Sequence, residues 1–114
     1  MTSLLRPLLL ALCLGSTPLA SIAADAAEPE NLLVIKDHRF EPSEVKVPAG
    51  KRIKLIVHNQ DSTPEEFESP ALKREKIVPA GAKVIVYIGP LKPGRYAFVG
   101  EHHEATAKGV VIAE

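Results

Sequence analysis

The chain has 114 residues, of which 46% are hydrophobic and 25% are charged, and its 14 basic residues balance its 14 acidic residues. A formal net charge of zero gives no reason to expect binding to nucleic acid or to an anionic membrane surface. The length is enough for one domain and too short for two well-packed ones.

The N-terminal segment has the layout of a secretory signal peptide. Arg6 precedes the apolar run Leu8–Leu14, and small residues predominate up to Ala24. The apolar run is too short to span a bilayer, which takes about 20 apolar residues, so we expect no stable membrane insertion after cleavage. We predict a cleaved signal peptide at residues 1–24, a flexible lead-in at residues 25–30 and one folded domain at residues 31–114, exported to the periplasm.

Removal of this segment leaves a domain without sulfur. Met1 and Cys13 are the one methionine and the one cysteine of the chain, and both precede the predicted cleavage site. The mature chain keeps 13 basic and 14 acidic residues, because Arg6 is lost as well. Such a domain forms no disulfide, and a metal site in it must be built from imidazole and carboxylate groups.

The remaining sequence is typical of short strands separated by turns. Proline and glycine mark turns at Pro48–Gly50, Pro79–Gly81 and Pro90–Gly94, and no helical period is sustained. The polar stretch Asn59–Pro70 interrupts the pattern and is predicted to be a loop. We predict an all-β fold, an antiparallel Greek-key β-sandwich with about seven to eight strands. The strand-like segments are residues 32–36, 44–47, 51–57, 73–78, 83–88, 95–99 and 109–113.

Three segments, in their order along the chain, resemble the cupredoxins. They are Phe40–Gly50, Asn59–Asp61 and Gly94–Phe98, the last of which precedes a loop that carries histidine. The resemblance covers residues 31–114 and implies a β-sandwich of the cupredoxin type. Ordinary cupredoxins hold copper with two histidines, a cysteine and usually a methionine.

The resemblance also implies which residues occupy the ligand positions. Glu65 or Glu66 stands where the first histidine would be, Gly100 where the cysteine would be, His103 where the second histidine would be, and Ala107 near the methionine. A blue type 1 copper site depends on the cysteine thiolate, so the resemblance excludes that kind of site.

A narrower resemblance is to the periplasmic cupredoxin component of bacterial ferrous-iron permease systems. It is carried by Pro64–Ser69, Arg74–Lys76, Ile88–Leu91, Gly100–Glu101, His103 and Thr106–Ala107. It implies a protein that works with a copper-binding partner and a carboxylate-rich membrane permease in the oxidation of Fe(II) before transport. The implied partners are the iron permease and other periplasmic uptake components.

The residues themselves indicate a metal site at one end of the sandwich. In such a fold the loop after the third strand and the loop between the last two strands emerge at the same end, so distant residues can converge there. Imidazole suits Cu(II), Fe and Zn, and carboxylate oxygen shifts the preference toward harder ions such as Fe. We predict a transition metal ion, copper or iron, held by Glu65, Glu66, Glu101 and His103, with His38 and His102 as secondary candidates.

The four histidines are not equivalent in this prediction. Neighbouring residues on an extended segment point in opposite directions, so His102 should face solvent if His103 faces inward. His38 follows the first strand, which in a cupredoxin runs parallel to the third strand and ends at the same pole. His58 lies within a strand and is interpreted as a structural, partly exposed residue.

Three functions remain open at this point. The chain could bind copper or iron and aid Fe(II) oxidation or electron relay in ferrous iron uptake. It could carry an ion to a permease without redox chemistry, so the sequence does not decide whether it is an enzyme. It could also have lost its metal and only dock to partners, since a charge run such as Glu65, Glu66 and Glu68 is commonly a solvated loop surface.

Overall fold

The computed structural model describes Gly15 and residues 28–114, so nearly all of the predicted signal peptide lies outside the described residues. Within the described residues no helix is long and apolar enough to cross a membrane. The same residues form nine strands and a short 3-10 helix, Glu101–His103. The strands are β1 Glu30–Lys36, β2 Arg39–Glu41, β3 Glu44–Val47, β4 Ile53–Asn59, β5 Glu65–Ser69, β6 Arg74–Val78, β7 Lys83–Ile88, β8 Gly94–Gly100 and β9 Lys108–Ala113.

The strands form two sheets that pack face to face. One sheet has the order β2-β1-β4-β7 and the other has the order β3-β9-β8-β5-β6. Strand β1 pairs in parallel with β4, and β3 pairs in parallel with β9, while the remaining pairs are antiparallel. The predicted all-β sandwich is confirmed, with two parallel pairs within it and with nine strands where seven to eight were expected.

Two strands were missing from the sequence interpretation. Strand β2 is only three residues long, which is too short to show an alternating pattern. Strand β5 lies inside the stretch Asn59–Pro70, and the prediction of a loop there is wrong for these residues. Its inward-facing residues are Glu65, Phe67 and Ser69, and only one of them is apolar. The usual hydrophobic alternation of a half-buried strand is therefore absent.

The core lies between the two sheets and follows from alternation along the strands. In β4 the residues Ile53, Leu55 and Val57 are fully buried and alternate with partly exposed ones. Burying one such aliphatic side chain stabilises the fold by about 1.5–3 kcal/mol. The other buried hydrophobic residues are Leu33, Ile35, Phe40, Val45, Val47, Phe67, Leu72, Val78, Val86, Ile88, Phe98, Ala107, Val111 and Ala113.

Three phenylalanines pack together beneath one pole of the sandwich. The ring centroids of Phe40 and Phe98 are 4.9 Å apart, and those of Phe67 and Phe98 are 5.2 Å apart. Phe40 follows His38 by two residues, and Phe67 follows Glu65 by two. Because residues two apart on a strand face the same side, Phe67 and Glu65 both point inward from β5, and the aromatic cluster fixes the backbone next to Glu65.

Candidate metal centre

Glu65 is a buried carboxylate at the start of β5. Its exposed fraction is 1%, and every oxygen has a partner. The backbone N–H groups of Glu66 and His102 donate to its Oε1 at 3.0 and 2.9 Å. His103 Nδ1 donates to its Oε2 at 2.6 Å. Glu65 is therefore not part of a solvated loop surface, which was the alternative interpretation of this charge run.

The surroundings of Glu65 keep it ionised. Burial alone raises the pKa of this carboxyl, but the hydrogen bonds from His103 and from the two backbone N–H groups outweigh burial, and the pKa is lowered. The ionised carboxylate holds His103 with a proton on Nδ1, which leaves the imidazole lone pair on Nε2. A buried negative charge beside an imidazole is a common arrangement at metal sites.

Gly100 provides the space for the carboxylate. A β-carbon at this position would lie 2.7 Å from Cδ of Glu65 and 2.7 Å from Cβ of Ala107. The backbone torsion φ of Gly100 is −90°, which any residue can adopt, so the requirement for glycine is one of space. The position that the cupredoxin resemblance assigns to a cysteine is thus next to the Glu65 carboxylate.

His103 and His38 stack on each other beside Glu65. Their ring centroids are 3.6 Å apart, and the ring planes differ by 15°. The side chains are 31% and 41% exposed, so both rings border solvent. His38 follows β1, which ends at the same pole as β4 as the predicted parallel pairing requires. The residue rated secondary from sequence is therefore in direct contact with the one rated primary.

The side chains of His102 and His103 face different partners, but not for the reason predicted from the sequence. Both lie on the 3-10 helix Glu101–His103, so the argument from an extended segment is wrong. His102 is 45% exposed and approaches Glu66, with 3.9 Å between Nε2 and Oε2. His102 Nδ1 lies 3.2 Å from the carbonyl oxygen of Pro64. The two histidines therefore face two different glutamates.

Three donor side chains lie close enough together to contact one metal ion. His38, Glu65 and His103, called the candidate metal centre below, each offer a ligand atom, and these atoms lie within 4.8 Å of one another. Two imidazoles and a carboxylate suit copper(II) or iron and lack the thiolate of a blue copper site. The donor set therefore fits a non-blue copper or iron ion.

Two other predicted ligands belong to a neighbouring group. Glu66 and Glu101 have carboxylate oxygens within 4.8 Å of one of Glu75, and these three residues form the acidic cluster. Hydrogen bonds with Glu75 and Glu101, together with their negative charge, raise the pKa of Glu66 to about 7. The structure thus divides the four predicted ligands into two pairs, with Glu65 and His103 in one and Glu66 and Glu101 in the other.

Sequence reasoning missed Glu75 because it missed β5. Glu75 lies on β6 directly opposite Glu68 of β5, and like charges in such a pair repel. Burial, together with the charges of Glu101 and Glu75, raises the pKa of Glu68. The signal that could have identified Glu75 is the register of these two strands, which the sequence shows only after β5 is recognised.

His58 occupies the place that was predicted for it. It lies within β4, is partly exposed, and has its Nδ1 at 3.5 Å from Nε2 of Gln60. It belongs neither to the candidate metal centre nor to the acidic cluster. His58 therefore serves as a natural control for experiments on the candidate metal centre.

The fold and the site define a cupredoxin-like β-sandwich with a histidine-bearing segment between its last two strands. The family model of the cupredoxin-like domain matches residues 8–113, and the chain belongs to this family. A curated relative, an uncharacterized protein of Rickettsia prowazekii (strain Madrid E), is 49% identical over 80 residues. The match spans 70% of this chain and 64% of that protein, less than two thirds of its length.

Solved structures with this fold include copper proteins. The metal-binding domain of the Cu(I)-exporting P-type ATPase of Streptococcus pneumoniae D39 has a TM-score of 0.67 at 11% identity, over 75% of this chain and 84% of that one. Auracyanin A, a "blue" copper protein of Chloroflexus aurantiacus, has a TM-score of 0.64 at 13% identity, over 75% and 98%. The purple cupredoxin of Nitrosopumilus maritimus has a TM-score of 0.56 at 15% identity, over 73% and 98%. At these identities the likeness is one of fold.

Proposed function

We propose that this chain is a periplasmic metal-binding protein that holds a copper or iron ion at the candidate metal centre and serves ferrous iron uptake. The observation that carries the proposal is the convergence of His38, Glu65 and His103 at one pole of a cupredoxin-like sandwich. A carboxylate buried to 1% exposure is costly unless its charge is used, and here it directly contacts an imidazole.

The residues of the centre have separate tasks in this proposal. Two backbone N–H groups occupy Oε1 of Glu65 and fix the carboxylate, while Oε2 faces His103. His103 Nδ1 donates to Oε2 of Glu65 at 2.6 Å. Binding of one ion by both atoms would replace this hydrogen bond, and the imidazole proton would then lie on Nε2. His38 adds a second imidazole from the other sheet. A bound copper or iron ion would supply a one-electron acceptor at this pole.

The acidic cluster gives the proposal its link to Fe(II). Carboxylate oxygens suit Fe(II) better than a soft ion such as Cu(I), and Glu66 follows the buried Glu65 directly in the chain. The cluster would attract Fe(II) as a substrate to the surface beside the centre. The role in iron uptake, with an iron permease and other periplasmic components as partners, rests on the resemblance to ferrous-iron permease systems.

A carrier function without redox chemistry is the second candidate. The half-exposed imidazoles of His38 and His103 leave the centre open to solvent, which favours transfer of an ion to a partner. A sandwich that binds no metal and only docks to partners is the third. The three functions differ in what the purified protein retains and consumes.

The decisive experiment measures metal content and oxygen consumption on protein purified from its own compartment. The redox function predicts retained copper or iron, oxygen consumption on addition of Fe(II), and loss of both in His103→Ala but not in His58→Ala. Retained metal without oxygen consumption contradicts the redox function and supports the carrier. Absence of metal together with failure to bind added Cu(II) or Fe(II) contradicts the whole metal proposal.

A further inference from the structure

The turn that carries His38 has an unusual backbone. Asp37 and His38 are the two central residues of the hairpin that joins β1 to β2, and their φ angles are +51° and +57°. Both residues therefore adopt the left-handed conformation that such two-residue turns require and that glycine and asparagine usually supply. This conformation costs aspartate and histidine more free energy than it costs glycine, so contacts from outside the turn stabilise it.

Asp61 supplies that support from the segment after β4. Its Oδ1 accepts the backbone N–H of Asp37 at 2.8 Å, and its Oδ2 accepts the backbone N–H of His38 at 3.0 Å. The same Oδ2 lies 3.5 Å from Nδ1 of the His38 ring. One carboxylate thus contacts both residues of the turn and the ring itself.

Asp61 is itself anchored to the core. Its backbone N–H donates to Oδ1 of Asn59 at 3.0 Å, and Asn59 is fully buried. The Nδ2 of Asn59 donates to the carbonyl oxygens of Thr63 and Val78 at 2.8 and 3.1 Å. A continuous set of hydrogen bonds therefore runs from the core, through Asn59 and Asp61, to the backbone N–H groups of Asp37 and His38.

The His38 ring depends on this support to reach the candidate metal centre. It is 41% exposed and packs on His103 at a centroid distance of 3.6 Å. A half-exposed imidazole on a two-residue turn has several accessible rotamers, so stacking alone fixes it weakly. The two backbone hydrogen bonds determine where its α-carbon lies and in which direction its side chain leaves the backbone.

We propose that Asp61 is a positioning residue, which clamps the Asp37–His38 turn and so holds the His38 imidazole against His103 before any metal arrives. The inference rests on the proposed function, because it assigns His38 to the metal centre. It goes beyond that function because it assigns the position of the second imidazole, that of His38, to a residue in the segment between β4 and β5. Partners that orient metal-binding histidines typically change metal affinity by about ten- to a hundredfold when they are lost.

The test compares Asp61→Asn with wild type and with Glu30→Gln, which removes a carboxylate 3.2 Å from Lys54 at the far end of β1. Asparagine offers one acceptor oxygen where Asp61 uses two, so one backbone hydrogen bond is lost without a change of size. In metal-free protein at pH 8, the imidazole C–H resonances of His38 and His103 report the stack through their ring-current shifts. We expect both sets to move toward the values of free histidine in Asp61→Asn and to stay unchanged in Glu30→Gln.

A rescue variant separates positioning from general stability. Glycine adopts φ near +51° without support, so Asp37→Gly combined with Asp61→Asn should recover part of both the ring-current shifts and the Cu(II) affinity. Asp61→Asn alone should weaken Cu(II) binding by about ten- to a hundredfold in the wild-type background and hardly at all when His38 is already alanine.

Unchanged ring-current shifts in Asp61→Asn, or an equal loss of Cu(II) affinity in the His38→Ala background, would overturn the proposal. Failure of the proposed function has a different signature. In that case His103→Ala binds Cu(II) as wild type does, while the ring-current shifts of the metal-free protein still decide the role of Asp61.

Discussion

The carboxyl group of Glu65 fills the space that a side chain at Gly100 would take. A β-carbon on Gly100 would lie 2.7 Å from Cδ of Glu65, which is closer than folded proteins tolerate. The carboxylate of Glu65 therefore fits here because position 100 carries no side chain. In the resemblance to cupredoxins, Gly100 stands at the cysteine position, so the Glu65 carboxylate lies beside the place where that family has its thiolate.

The first prediction concerns this pair. Gly100→Ala should destabilise the protein by about 1–3 kcal/mol, because the added methyl group overpacks a buried site. The cost should be smaller in a Glu65→Ala background, where the carboxyl group is gone and only the contact with Ala107 remains. Urea unfolding of the four variants in this cycle gives the coupling energy. Equal costs in the two backgrounds would show that the two positions are independent.

The second prediction concerns the colour of the copper complex. Residues 28–114 contain no cysteine, so no Cu(II)–thiolate charge transfer can occur. Addition of Cu(II) should give a pale complex with weak ligand-field absorption. Visible absorption spectroscopy during a Cu(II) titration checks this. An intense blue band would contradict the donor set of imidazole and carboxylate.

The third prediction concerns Glu65 in acid. Its pKa is lowered in the folded protein relative to the ordinary value of 4.5, so the ionised carboxylate stabilises the fold above about pH 4.5. This stabilisation is lost as the pH falls through the folded pKa. Glu65→Gln should therefore be less stable than wild type at neutral pH, and the difference should shrink in strong acid. Unfolding free energies measured across this range would refute the assignment if the difference stayed constant.

The fourth prediction concerns Glu66, whose contribution to stability should change with pH in the direction opposite to that of Glu65. Its pKa is raised from 4.5 to about 7, so the folded state retains a proton that the unfolded chain releases. Stability from this group is present below pH 4.5 and is lost as the pH rises through about 7. Glu66→Gln should therefore melt a few degrees above wild type at about pH 8 and together with it at about pH 4.

The matched control for Glu66 is Glu44→Gln. The Glu44 carboxylate is 58% exposed and lies 3.8 Å from an Arg95 nitrogen, outside the acidic cluster. Its replacement should give no gain at alkaline pH. A gain as large in Glu44→Gln as in Glu66→Gln would mean that net charge, and not the carboxylate contacts of Glu66, sets the pH dependence.

The sequence was sufficient for the sandwich because most strands carry the alternating pattern. Strand β4 shows it in full, with Ile53, Leu55 and Val57 inward. The pattern fails in β5, where the inward Glu65 is satisfied by groups from His102 and His103, 37 and 38 residues away. Local periodicity cannot report a partner that is so distant in sequence.

The site was predictable only in part. The sequence predicted that Glu65 and Glu66 converge with Glu101 and His103 because their loops share a pole, and the structure brings Glu65 and His103 to 2.6 Å. The separation of Glu66 into the acidic cluster required the pairing of β5 with β6, which places Glu75 beside it. The contact of Asp61 with the His38 turn depends on two backbone N–H directions, and no sequence pattern encodes these.

The central claim is that Glu65 and His103 hold one metal ion together, and Cu(II) affinity in a double-mutant cycle tests it most directly. Glu65→Gln and His103→Ala should each remove most of the tight binding, and the double variant should lose little more, because ligands of one ion act as a unit. The melting temperature of wild type and of His58→Ala should rise with added Cu(II), while that rise should vanish in the two single variants. Wild-type affinity in either single variant, or losses that simply add, would contradict a shared metal centre.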